Sequence, residues 1–224
     1  MTVEALLRRL DPLVEPDSIR IDGNRIRLDA DGHIIAEVTD TEIRLYTFGL
    51  HNHFPTHDPR EAELALRSLS DLLTAPLVRL DTFAGSRHLR RSWYFLRSGD
   101  VLESLAEEPL ASDGGNPFAR RSITRSCWQY DRAGGRYQKT SDDAVGVLAL
   151  AWDLMATIRR ASGGKFCFHL HQCRFEESLL DFVWAPLALP DALFDSVESA
   201  GKGAKAAAKQ FRRTHRHEPF LEHK

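Results

Sequence analysis

At 224 residues, with 42% hydrophobic and 28% charged residues and a formal net charge of −2, the chain has the composition of a globular protein with one sizeable core. Such a balance excludes intrinsic disorder, and three cysteines, an odd count in a chain this long, exclude a disulfide scaffold. The longest uncharged apolar run, Ala144 to Trp152, is far short of the ~20 residues that cross a bilayer, and the acidic start Met1-Thr2-Val3-Glu4 has no leader character, so the expected setting is a reducing cytoplasm without membrane attachment.

Glu4 to Leu13 carries Leu6, Leu7 and Leu10 at helical spacing and predicts a short amphipathic helix. Four strands are expected next, at Ser18–Asp22, Arg25–Asp29, His33–Val38 and Thr41–Phe48. The first two are joined by Gly23-Asn24, in which glycine supplies the positive φ of a tight hairpin. Asp58 is a good helix cap ahead of Pro59 and Glu61. An apolar stripe from Ala62 to Leu73 follows, and Pro76 ends it. Strands are predicted at Leu77–Phe83 and His88–Leu96, a short helix at Asp100–Glu107, and a Gly/Pro-rich passage at Ala111–Phe118. Arg121–Tyr130 and Arg136–Thr140 read as a hairpin through Gly134-Gly135, and Ser141 is expected to cap a long helix reaching Arg160. Lys165–Cys173 alternates as a strand, Glu177–Trp184 reads as a helix, and a last helix is expected from Asp191. These elements imply an α+β fold: an N-terminal antiparallel β-meander with packed helices, then further strands, with helices covering one face. One domain is expected over residues 1–199, with a candidate sub-boundary near 111–118, and residues 200–224 form a basic tail. From Ala200 onward seven basic residues stand against two acidic ones, so a tail of +5 leaves −7 on the rest of the chain.

The histidines stand out chemically. On the strand Lys165–Cys173, Cys167, His169, His171 and Cys173 face one way and Phe166, Phe168 and Leu170 the other. Residues two apart on a strand are separated by roughly 6.6 Å, so at most a neighbouring pair such as His169 and His171 can serve one ion. A second pair, His51 and His53, precedes the Asp58 helix cap, where capping or backbone hydrogen bonding would also account for histidine. Together His51, His53, His169 and His171 form a candidate zinc or other divalent-metal set. Established metal motifs do not fit: Ser178-x-x-Asp181 after His169-x-His171 is one residue short of the JAMM metalloprotease spacing. A nucleophile elbow, a P-loop and a dinucleotide fingerprint are absent from the sequence. Cys127, on a predicted strand, reads as a buried inert thiol.

Basic residues beside aromatics define a second candidate set, Arg87, Arg90, Arg91 and Trp93 on one strand and Arg125 and Trp128 on another. Strand alternation alone would produce such pairs. With an acidic body and no complete catalytic motif, the expected function is that of a non-catalytic cytosolic binding protein of bacterial type, such as a toxin-neutralising immunity protein or a regulatory partner, needing no cofactor. A protein is the expected partner, ahead of nucleic acid gripped by the basic tail. The alternative is a metal-dependent hydrolase or nuclease built on the two histidine pairs.

Overall fold

The computed structural model describes residues 2–111, 121–141, 144–151, 153–176, 181–189 and 192–214. Thr2 caps α1 (Val3–Leu10), its hydroxyl accepting from the Ala5 amide, and Leu6 and Leu10 are buried on one side of that helix. Period-two alternation then builds a five-stranded antiparallel meander, β1 (Arg20–Asp22), β2 (Arg25–Arg27), β3 (Ile34–Val38), β4 (Glu42–Thr47) and β5 (Leu50–Pro55), in chain order. Ile26, Ile34, Ala36, Val38, Ile43 and Leu45 are buried, while the intervening residues of these strands are not. The segment Leu50–His53, expected as a connection, is the fifth strand. Phe48 and Gly49, with φ of 47° and 89°, turn the chain tightly enough to continue the ladder. Helix α2 (Pro59–Thr74) starts as expected at Asp58, whose carboxylate accepts from the Arg60 amide at 2.8 Å.

The remaining strands are β6 (Leu77–Ala84), β7 (Arg87–Arg97), β8 (Val101–Pro109), β9 (Arg121–Asp131), β10 (Arg136–Thr140), β11 (Ala144–Ala149), β12 (Leu154–Arg160), β13 (Phe166–Glu176) and β14 (Asp181–Pro186). Eight of them close an antiparallel barrel in the order β6-β7-β8-β14-β13-β12-β11-β9, because β9 pairs back onto β6 from Leu77↔Trp128 to Ala84↔Arg121. β10 extends the wall outward from the second half of β9.

This corrects the expected α+β class: the protein is mostly β, a closed barrel beside a separate five-stranded sheet, with three α-helices among the described residues. Three expected helices are strands, for one physical reason. Leu154, Ala156 and Ile158 point outward under α3 (Val197–Thr214), while Met155 and Thr157 point into the barrel, so both faces of β12 are buried and its sequence lacks polar alternation. An apolar run of that kind is the signature shared by a core strand and a buried helix. The same misreading applies to the expected helix at Asp100–Glu107, which is β8 in a hairpin with β7, and to the end of the expected helix at Glu177–Trp184, which is β14. Residues 177–180, most of the Gly/Pro-rich passage at 111–118 and the first residues, 142–143, of the helix expected after Ser141 lie outside the described residues.

Besides the barrel interior, two cores pack against the outside of the barrel. One lies between the meander, α1, α2 and the outside of the barrel wall, where Phe48 stacks on Trp93 at a centroid distance of 4.1 Å. The Tyr130 hydroxyl donates to the Leu28 carbonyl at 2.7 Å and the Tyr137 hydroxyl to that of Leu72 at 2.5 Å, tying both layers together. The other surface is covered by α3, whose Ala200, Ala204 and Ala208 are buried at a spacing of one turn. Gly203 has no room for a β-carbon, which would meet Phe194 at 2.5 Å. Residues 200–214, distinguished in the sequence by their charge, are therefore part of a helix packed on the barrel, with Lys202 turned outward to Glu198. No helix among the described residues is long and apolar enough to cross a membrane.

Candidate functional site

The two unlike faces read from the sequence of β13 become the inside and outside of the barrel. Cross-strand partners Arg159↔Cys167, Thr157↔His169 and Met155↔His171 alternate with Ile158↔Phe168 and Ala156↔Leu170. The second set packs under α3. The first set enters the lumen, where it meets Arg125 from β9 and Asp100 from the β7–β8 turn.

Asp100 is the hub. Arg159 Nη2 donates to its Oδ1 at 2.6 Å, and Arg125 Nη2 stands 3.6 Å from the same oxygen. Oδ2 faces His171 Nε2 at 3.5 Å and His169 Nδ1 at 3.6 Å, and accepts no hydrogen bond. The Arg125 side chain is 3% exposed and that of His171 is 0% exposed, whereas His169, at 41%, opens the cluster to solvent. Asp100 has φ of +63°, in the left-handed region that a non-glycine residue enters at a cost of order 1 kcal/mol, and Gly99 before it has φ of +70°. The chain thus bends against its preference to place this carboxylate in the barrel.

Burial sets the protonation of the centre. Desolvation pulls the pKa of His171 down to about 4, against the attraction of Asp100 and with the repulsion of Arg125, His169 and Arg159, so its ring is neutral at neutral pH. Both ring nitrogens of His171 and the Thr157 hydroxyl are buried and make no hydrogen bond within the protein. Polar atoms in that state cost roughly 1–3 kcal/mol each unless something else satisfies them.

Part of the lumen is apolar, with Val78, Leu80, Leu102, Cys127, Val147 and Met155 buried together, so Cys127 is buried as expected. A cavity of about 260 Å³ lies beside the cluster, walled by Met155, Leu80 and Ile123 and reaching Arg90, Ser92 and Tyr94. Met155 is opposite His171 and Leu80 is opposite Arg125, so cavity and cluster are adjacent parts of one interior.

The structure divides the residues singled out in the sequence. His169 and His171 are in the lumen. His51 and His53 are exposed on the edge strand β5, where the His51 ring lies against Tyr46 at 5.6 Å and His53 Nδ1 lies 2.8 Å from Glu42 Oε2. The four do not converge. Among the described residues, the one set of three or more ligand atoms within 4.8 Å of one another is Asp29, Asp31 and His33. Asp29 is already committed there, accepting from the His33 and Ile34 amides at 3.0 and 2.7 Å and raising the His33 pKa through a hydrogen bond to its ring. The cluster is also a poor cation site, since two guanidiniums flank Asp100, and its carboxylate and the two histidines do not bring three ligand atoms within that distance of one another.

The basic–aromatic set is divided too. Arg91, Trp93 and Trp128 line a groove of about 300 Å³ on the outside of the barrel, where Arg79 lies 5.6 Å from the Trp93 ring and 5.1 Å from that of Trp128. Arg87 is exposed at the start of β7, Arg90 lines the lumen cavity, and Arg125 is in the cluster. Positions 125 and 128 differ by an odd number, which on a strand puts them on opposite faces. Asp100, Thr157 and Arg159 were not singled out in the sequence. The signal that could have found Asp100 is Ser98-Gly99-Asp100 between two alternating segments, a hairpin turn in place of a helix start. No protein-family model, no curated protein and no solved structure matches the chain.

Proposed function

We propose that this protein is a non-catalytic binding protein that takes a small anionic ligand into the lumen of its barrel. The observation that carries the reading is the convergence of Arg125 and Arg159 with two fully buried groups, His171 and Thr157, whose polar atoms make no hydrogen bond, beside a cavity in the same interior. Two guanidiniums in a low-dielectric enclosure favour an anion strongly, and their planar forks suit carboxylate or phosphate oxygens. The apolar wall around the cavity suits the uncharged remainder of such a ligand. This keeps the class expected from the sequence and exchanges a macromolecular partner for a small ligand.

The test is calorimetric titration of the purified chain with inorganic phosphate and with phenyl phosphate, whose ring probes the cavity. Saturable binding in the wild type that is lost in Arg159→Met and in Arg125→Met supports the reading. Absence of binding of either anion at millimolar concentration overturns it.

A further inference from the structure

We infer that Asp100 is a built-in stand-in for the ligand: the lumen takes a tetrahedral dianionic oxyanion, a phosphoryl-type group, and this group displaces the Asp100 carboxylate from between Arg125 and Arg159. The inference rests on the binding reading above and assigns the class of ligand and the means of its admission.

The resident carboxylate fits its surroundings incompletely. It is planar, and it meets groups presented by three different strands: Arg125 on β9, Arg159 on β12, and His169 and His171 on β13. One oxygen accepts a 2.6 Å bond from Arg159 while Arg125 stands at 3.6 Å, and the other oxygen, at 3.5 and 3.6 Å from two imidazoles, accepts none. The Thr157 hydroxyl, directly across the ladder from His169, is also without a hydrogen bond. A tetrahedral group directs its oxygens out of one plane, matching donors that arrive from several strands.

Charge points the same way. A monoanion replacing Asp100 restores only the neutralisation that Asp100 already provides. A dianion brings one more negative charge to the same two guanidiniums than the resident carboxylate does, so it gains attraction that the carboxylate cannot supply. Phosphate monoesters are largely dianionic at neutral pH, their second ionisation lying near pH 6.

The turn is built to leave. Arg97 pairs with Val101, so Ser98, Gly99 and Asp100 project beyond the last rung of the β7–β8 ladder. Both Gly99 and Asp100 have positive φ, and no atom lies within 4 Å of the position a Gly99 β-carbon would take, so open space lies on that side of the turn. Outward movement releases the left-handed strain at Asp100 and breaks no ladder hydrogen bond.

The experiment compares wild type, Asp100→Asn and Arg159→Met, each as the full chain, in calorimetric titrations with inorganic phosphate, phenyl phosphate and acetate. Asparagine keeps the size of the side chain and tolerates the left-handed backbone, but carries no charge. The expected result is that Asp100→Asn binds both phosphates about ten-fold more tightly than wild type, because the competing anion is gone. Acetate is expected to gain less, and Arg159→Met to bind none of the three. Stronger binding of phenyl phosphate than of inorganic phosphate would place the organic remainder in the cavity; equal binding would assign the site to the free ion. If wild type binds phosphate and Asp100→Asn binds it no better, Asp100 is a ligand contact and the stand-in inference falls while the binding reading survives. If no form binds any anion, the binding reading itself falls. An independent readout uses wild type alone: phosphate should speed hydrogen exchange of the Gly99–Val101 amides while slowing it elsewhere in β12 and β13. Unchanged or slower exchange in the turn overturns the inference even if the variant cannot be purified.

Discussion

Two aspartates, one on each side of the same barrel wall, each sit among arginines and histidines, and they behave differently. Asp81 is on the outer surface of β6, in regular strand geometry. Arg91 Nε donates to its Oδ1 at 3.1 Å, while Arg79 Nε lies 2.8 Å from Oδ2 and His88 Nε2 2.9 Å from Oδ1 without making hydrogen bonds, all three coming from the same or the adjacent strand. Asp100 reaches its partners from a turn in left-handed conformation and engages one of its two oxygens in a hydrogen bond. The first is a charge network that the ladder register creates on regular strand backbone. In the second, the backbone is strained to serve the side chain, and hydrogen-bonding capacity is left over. Strain combined with unmet polar capacity is what separates a site from a structural ion pair.

The contrast can be broken most directly by removing each carboxylate. Asp81→Ala should lower stability by about 3 kcal/mol in chemical denaturation, because it removes the buried carboxylate that Arg79, His88 and Arg91 share. Asp100→Asn, which withdraws the charge facing Arg125 and Arg159, should cost about 2 kcal/mol, and added phosphate should recover that loss in this variant and not in Asp81→Ala. Equal recovery in both variants would erase the distinction. Trp93→Ala removes the indole that stacks on Phe48 and is expected to cost about 3 kcal/mol, without altering phosphate affinity, since that face is packing rather than lumen.

The third prediction concerns acid. The folded-state pKa of His171, about 4, lies below its ordinary value of 6.5, so the unfolded chain takes up this proton first as pH falls. The stabilising effect of keeping the ring neutral is therefore complete above about pH 6.5 and is lost as pH drops towards 4. His171→Asn should flatten the stability–pH curve in that window by more than about 1 kcal/mol, measured by urea denaturation across the range. A curve identical to wild type would show that burial does not lower the ring's pKa in the folded state. The smallest effect separates two turns of the same kind. Gly99→Ala and Gly163→Ala, at φ of 70° and 68° with open space around both, should each cost about 1 kcal/mol. Only the first should shift phosphate affinity, since only that turn carries Asp100.

Much of the local structure was legible. The meander from Arg20 to Thr47, the capped helix at Asp58 and the two-faced strand carrying His169 and His171 follow from alternation, turn residues and a capping side chain, all of which act over a few positions. The helices expected over Ser141–Arg160 and Asp100–Glu107 were not legible as strands. Whether an apolar run is a strand depends on what covers its second face, and for β12 that cover is α3, which begins at Val197. The site was half legible. His169 and His171 were visible as a pair, and Arg125 was chosen for its neighbours in sequence, yet its partner in space is Asp100, on a turn that reads as the start of a helix.

By itself the sequence determined the periodicity of most elements, the chemistry of the strand Phe166–Glu176 and the helix caps, because each depends on neighbours a few residues away. Tertiary structure alone decided that β9 returns to β6 and closes a barrel, and that this closure turns one face of every strand into a shared interior. Ring closure is a condition on all eight strands together. Only when it is met do Asp100, Arg125, Thr157, Arg159 and His171, drawn from four separate segments, become neighbours in one low-dielectric space.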